Sequence, residues 1–118
     1  MANLALRFLL EIAALIGIGL AAWGLAPDPW RWLLAVALPL LAAAAWAVFA
    51  VPDDPSRSGR APVPVSGRLR LVIELGILSG GIACYALAGH GMIAALLAAL
   101  LVLHYGLSGD RIRWLLDR

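Results

Sequence analysis

Two pairs of side chains in this 118-residue chain set opposite charges at a spacing that could do chemistry: Arg7 with Glu11, and Arg70 with Glu74. In each, a cation and a carboxylate stand four residues apart, which on a helix is one turn and one face. The strings around them, LRFLLE from residue 6 and LRLVIE from residue 69, repeat with a constant offset of 63 residues. Both open a long apolar segment. A carboxylate inside such a segment is either paired as a staple between helices or titrates as a proton or ion site, with a histidine as relay. Counted from the inner ends of the segments, His104 and Trp46 reach the depth of the two pairs, so the candidate polar layer is Arg7, Glu11, Arg70, Glu74, His104 and Trp46. The repeat lets Arg7 meet Glu74 and Arg70 meet Glu11 as readily as each meets its own neighbour.

Other chemistries lack their residues. Cys84 is the single cysteine and reads as a small packed residue, so neither a disulfide within the chain nor a thiolate metal cluster can be built. His90 and His104 belong to opposite ends of the apolar segments, and no nucleophile with a base, no phosphate-binding glycine loop and no cofactor motif is present. The chain is therefore expected not to be an enzyme, and to carry no metal or cofactor. All nine basic residues are arginine and they flank apolar stretches, which does not make a nucleic-acid surface.

The elements that must position the layer follow from composition and length. The chain is 64% hydrophobic and 14% charged, with a mean hydropathy of +0.95. That is a membrane composition, since too few polar residues exist to cover a soluble core. Four apolar segments are expected, over about residues 4–25, 30–51, 68–88 and 92–108. In the first, the charge-free part (residues 12–26) covers only about 22 Å at ~1.5 Å per residue, against a hydrocarbon core of roughly 30 Å. Glu11 is thereby drawn below the interface, and Glu74 by the same arithmetic. Pro27 and Pro29 break the first helix and make the first hairpin loop, Pro39 predicts a kink in the second segment, and Gly89, His90 and Gly91 make the second turn. Residues 52–67 form the one linker, with residues 62–65 expected to run extended along the membrane surface. No removable signal peptide is expected.

These segments predict a single all-α membrane domain over residues 1–118, made of four transmembrane helices. They form two helical hairpins, residues 4–51 and 67–108, as parallel repeats about an axis along the membrane normal. With four spans, eight arginines fall on the side of the termini and linker, and Arg31 alone on the other. Both termini are then cytoplasmic. Trp23, Trp30, Trp32 and Tyr85 fall at the outer interface, Tyr105 and Trp114 at the inner one. The tail, residues 110–118, is amphipathic and predicted to rest on the inner surface, where Arg57, Arg60, Arg68, Arg111 and Arg113 face anionic lipid.

The repeat also aligns small residues: Ala13, Gly17 and Ala21 with Gly76, Gly80 and Cys84. Each half is expected to carry this ridge opposite its Arg and Glu face, for helix packing inside the monomer or for the seam of a homodimer.

Trp23-Gly24 closing the first segment, Pro39 in the second, Trp46 with Phe49 and Pro52 at its exit, and a Pro-Val-Pro linker leading into LRLVIEL complete a pattern. It resembles the YrdB-like family of small four-helix bacterial membrane proteins over essentially the whole chain, departing at Gly109, where an aromatic is expected. The resemblance implies four spans and a bacterial plasma membrane, and no substrate, since that family is a domain of unknown function. Two classes of function follow from the residues. One is a structural or accessory membrane protein held by its charge layer, and the other is a small oligomeric transporter or channel using that layer for protons or ions.

Overall fold

The computed structural model describes residues 2–56 and 60–118, so Arg57 lies outside the described residues. The fold is almost entirely helical, in the order α1 (Ala2–Leu25), α2 (Trp30–Val48), α3 (Gly67–Leu87), α4 (Gly91–Gly106) and α5 (Gly109–Leu116). Three of these, α1, α2 and α3, are long and apolar enough to cross a membrane. The pair α4 and α5, bent by 69° at the break between them, makes a fourth if counted as one.

Local chemistry sets the ends. Ser66 caps α3 in extended backbone, its hydroxyl accepting from the Leu69 N–H at 3.2 Å. After α3 the chain turns through Gly89 at φ +89°, a left-handed conformation natural to glycine, while the His90 N–H reaches back to the Tyr85 carbonyl at 2.7 Å. Helix α2 stops at Val48, three residues short of the apolar run, and the next two residues turn into strand. Phe49 and Ala50 (β1) pair in parallel with Val63 and Pro64 (β2). The proline-rich stretch is thus extended, as expected, and hydrogen-bonded to the exit of α2.

Helices α1 and α3 form the centre, with α2 packed beside α1 and α4 beside α3. The two central helices meet where side chains are smallest. Ala14 and Leu78 are fully buried with Leu10, and a Cβ added to Gly81 would stand 2.5 Å from the Cα of Ala14. Gly17 faces the ring of Tyr85, whose hydroxyl donates to the Ala13 carbonyl at 2.7 Å. Tyr85 is a buried clasp between α1 and α3. Beside it, Gly19 lies against the Ala35 carbonyl, the group that would bond the N–H of residue 39 were it not proline.

This seam corrects the expected ridge on one helix. Gly17 and Ala21 are buried on α1, but on α3 the packed residue is Gly81, whereas Gly76 and Gly80 are exposed with open space around them. The charged face is not opposite the seam either. Arg70, Glu74, Leu78, Ile82 and Tyr85 are buried together on α3, and Arg7, Ala14, Gly17 and Ala21 on α1. Polar layer and close packing are consecutive levels of one interface.

Candidate functional site

At one end of the α1/α3 seam the side chains turn from apolar to charged, and Glu74 is the centre of that layer. It has no exposed surface. Its Oε1 receives the Nε of Arg70 at 3.1 Å, Nη2 of Arg7 at 3.3 Å, and the guanidinium of Arg111. Its Oε2 accepts from the Tyr105 hydroxyl at 3.2 Å. Burying a lone carboxylate would cost several kcal/mol, and here donors from α1, α3, α4 and α5 replace water.

Arg70 bridges further. One nitrogen donates to the carbonyls of Trp46 and Phe49, the latter at 2.7 Å. It thereby satisfies carbonyls at the end of α2 that have no helical partners. The indole of Trp46 sits near both central arginines, its centroid 4.7 Å from the guanidinium carbon of Arg70 and 5.3 Å from that of Arg7.

The first repeat unit is built alike but filled differently. Arg7 Nε meets Glu11 Oε1 at 3.2 Å, the counterpart of the Arg70 to Glu74 bond, while Arg7 Nη1 donates to Ser56 Oγ at 2.7 Å. The crosswise pairing runs one way: Arg7 reaches Glu74, and among the described residues only Arg7 is within ion-pair distance of Glu11. The Glu11 side chain keeps 24% of its surface exposed. It lines a cavity of about 410 Å³ between α1 and α2, together with Phe8, Trp46 and Arg70.

Three participants were not among the expected layer residues. Arg111, expected to face lipid, turns inward and joins Glu74 to Asp54, whose Oδ1 it meets at 2.8 Å. It can do so because α5 folds back over the start of α3, where Leu115 is fully buried against the backbone of Gly67. Asp54, in the linker, also accepts from the backbone and hydroxyl of Ser56 at 2.9 and 2.8 Å. Burial works against its ionisation, but the hydrogen bonds from Arg111 and Ser56 outweigh it and hold the carboxyl below the usual aspartate value. Tyr105, placed in sequence at the inner interface, is the third. The linker's position over the layer has no signature in charge spacing; the tail's does, as an arginine on an amphipathic turn with one buried leucine.

His104 is buried, but it belongs to a neighbouring network. Its Nδ1 lies 2.9 Å from Asn3 Oδ1, Asn3 Nδ2 donates to Ser108 Oγ at 2.7 Å, and Ser108 returns a bond to the His104 carbonyl at 2.6 Å. That ring of bonds places the hydrogen on Nδ1. Nε2 has no hydrogen-bond partner among the described residues, and a cavity of about 420 Å³ adjoins the ring along with Arg111 and Trp114. The imidazole stacks edge-on against Tyr105 at 4.8 Å, and so touches the Glu74 cluster through that phenol. Arg60, Arg68 and Arg113 are exposed. Among the described residues no three of His, Cys, Asp and Glu converge as metal ligands.

The fold and the site define a class: a small, mostly helical protein with membrane-length apolar helices around a largely buried cluster of three arginines and three carboxylates. The chain belongs to the family described as "Protein of unknown function (DUF2568)", whose model matches residues 5–102. It is 43% identical over 116 residues to the "Uncharacterized protein YrdB" of Bacillus subtilis (strain 168), covering 98% of this chain and 94% of that relative. No solved structure matches it.

Proposed function

We propose that this chain is a four-span protein of the bacterial plasma membrane with both termini cytoplasmic, and that its charge layer is a structural closure at the inner face. Its role is then accessory, not enzymatic. The observation that carries the reading is Glu74: fully buried, and engaged by groups from four helices. Arg7, Arg70 and Arg111 are matched one for one by Glu11, Glu74 and Asp54, which leaves the layer neutral. A paired, charge-balanced cluster suits a staple better than a path for ions.

Lengths support the spans. Helix α1, with 24 residues, covers about 36 Å at ~1.5 Å per residue, and the hydrocarbon core is roughly 30 Å. Helix α4 has only 16 residues, and the bend after it lets α5 lie along the inner surface. Exposed Arg60, Arg68 and Arg113 would meet anionic lipid there.

The test compares Glu74→Gln with Glu11→Gln. Removing the buried charge leaves three arginines short of a carboxylate and should cost about 3–5 kcal/mol, seen as low abundance and early melting. Glu11→Gln, at a partly exposed carboxylate met by one arginine, should melt near wild type. If Glu74→Gln melts like wild type, the staple reading fails.

A second reading, a small oligomeric proton- or ion-coupled transporter, is favoured by Glu11 facing the 410 Å³ cavity. It requires a flux in proteoliposomes that Glu11→Gln abolishes.

A further inference from the structure

The two carboxylates of the repeat occupy matched positions but have different company. Glu74 is completed by a phenol: the Tyr105 hydroxyl bonds its Oε2, and the ring packs against the cluster of Leu10, Ala14 and Leu78. Sixty-three residues before Tyr105 stands Ala42, and sixty-three before Leu78 stands Leu15. The first half therefore has the carboxylate and the apolar backing but no phenol.

Where that ring would lie there is space. A cavity of about 110 Å³ is lined by Glu11, Leu15, Ala42, Ala43, Trp46 and Ile77. One carboxylate faces aliphatic walls and an indole; around Tyr105 stand a carboxylate, the apolar cluster of Leu10, Ala14 and Leu78, and the His104 ring. Glu11 and Trp46 also line the 410 Å³ cavity, so the small chamber adjoins a larger one between α1 and α2 whose rim includes exposed Leu4 and Phe8.

We propose that this chamber binds a small neutral molecule carrying a hydroxyl on a flat apolar body, of the size and chemistry of a phenol. Glu11 accepts the hydroxyl hydrogen as Glu74 accepts that of Tyr105. Three features select this class. The surrounding layer is already charge-balanced, so a neutral donor adds no uncompensated charge. The walls offer an aromatic face and methyl groups, which suit a ring. An apolar chamber of roughly 150 Å³ holds benzene; this one, at about 110 Å³, is smaller and takes a ring by drawing on the adjoining space. A hydrogen bond to a carboxylate then separates a phenol from the bare ring. The inference goes beyond the accessory role and does not depend on it, because it concerns Glu11 and Ala42 and leaves Glu74 untouched.

The experiment is a fluorine NMR titration of 4-fluorophenol and of fluorobenzene into the purified full-length protein in detergent, with empty micelles as reference. Wild type should bind 4-fluorophenol saturably, and fluorobenzene at least about tenfold more weakly. Ala42→Leu, which fills the chamber, should lose the saturable component. Ala42→Tyr should lose it too, by supplying the phenol from the chain, so that one of the two variants suffices if the other fails to fold. Glu11→Gln should weaken 4-fluorophenol about tenfold. Binding that matches empty micelles, that treats both probes alike, or that survives in whichever filled variant folds overturns the proposal.

Discussion

The clearest perturbation of the fold is a single methyl group on α3. In Gly81→Ala the new Cβ would stand 2.5 Å from both Cα and Cβ of Ala14 and 2.6 Å from its carbonyl oxygen. Carbon atoms rest at about 3.5–4.0 Å, so the two helices must part by roughly 1 Å. Ala14 is helix backbone with no exposed surface and cannot swing aside. A gap of that width forfeits about a quarter to a half of each contact energy along the seam. Overpacking typically costs 1–3 kcal/mol, and a backbone clash belongs near ~3. Replacing glycine within a helix returns about 0.5–1 kcal/mol, for a net loss of about 2. Gly76→Ala meets nothing within 4 Å, keeps that return, and should gain about 0.5–1 kcal/mol. The two variants should therefore differ by about 3 kcal/mol. Thermal melts of purified protein followed by tryptophan fluorescence would read this directly. If Gly81→Ala melts with wild type, or Gly76→Ala falls as far, the helices meet along the ridge containing Gly76 and the seam described above is wrong.

Two other outcomes follow. Tyr85→Phe removes a buried hydroxyl from the Ala13 carbonyl; that carbonyl keeps its helical partner, so the loss should be about 1 kcal/mol, and a melting loss several times larger would mean the clasp does more than bridge two helices. Asp54 has a folded pKa below its usual value, so its contribution is fully present above the unfolded value of 3.8 and is lost as pH falls through the folded one. Melting temperature against pH should consequently drop more steeply below about pH 4 in wild type than in Asp54→Asn, and equal acid limbs would show that Asp54 is not a stabilising partner of Arg111.

Much of this was readable from residue types. Length and hydropathy find the helices because an apolar run cannot be disguised, and a four-residue spacing of Arg and Glu fixes the bonds within α1 and α3. The 63-residue offset placed Glu11 and Glu74 at matching positions on their helices. Other features turn on angles and folding-back that spacing does not carry. Gly80 and Gly81 differ by 100° on a helix wheel, and only the partner helix decides which faces it. Asp54 sits in a proline-rich linker whose return over the layer depends on the short pairing with Val63 and Pro64. Arg111 looks like a surface charge until Leu115 is seen packed on Gly67. The repeat itself hid the inequality of its halves, since Tyr105 and Ala42 lie outside the matching strings.

The bond between Arg70 and Glu74 has a further meaning in the order of synthesis. Tyr105 and Arg111 follow Glu74 by 31 and 37 residues. At ~5–20 residues per second, Arg111 leaves the peptidyl-transfer step roughly 2–7 s after Glu74. During that interval α4 and α5 cannot shield the carboxylate, and its cations are Arg7, already made, and Arg70 on its own helix. The four-residue pair is the one partnership that needs no other part of the protein to be in place. On the four-span reading, it lets a nascent helix carry Glu74 into the bilayer before its final surroundings exist.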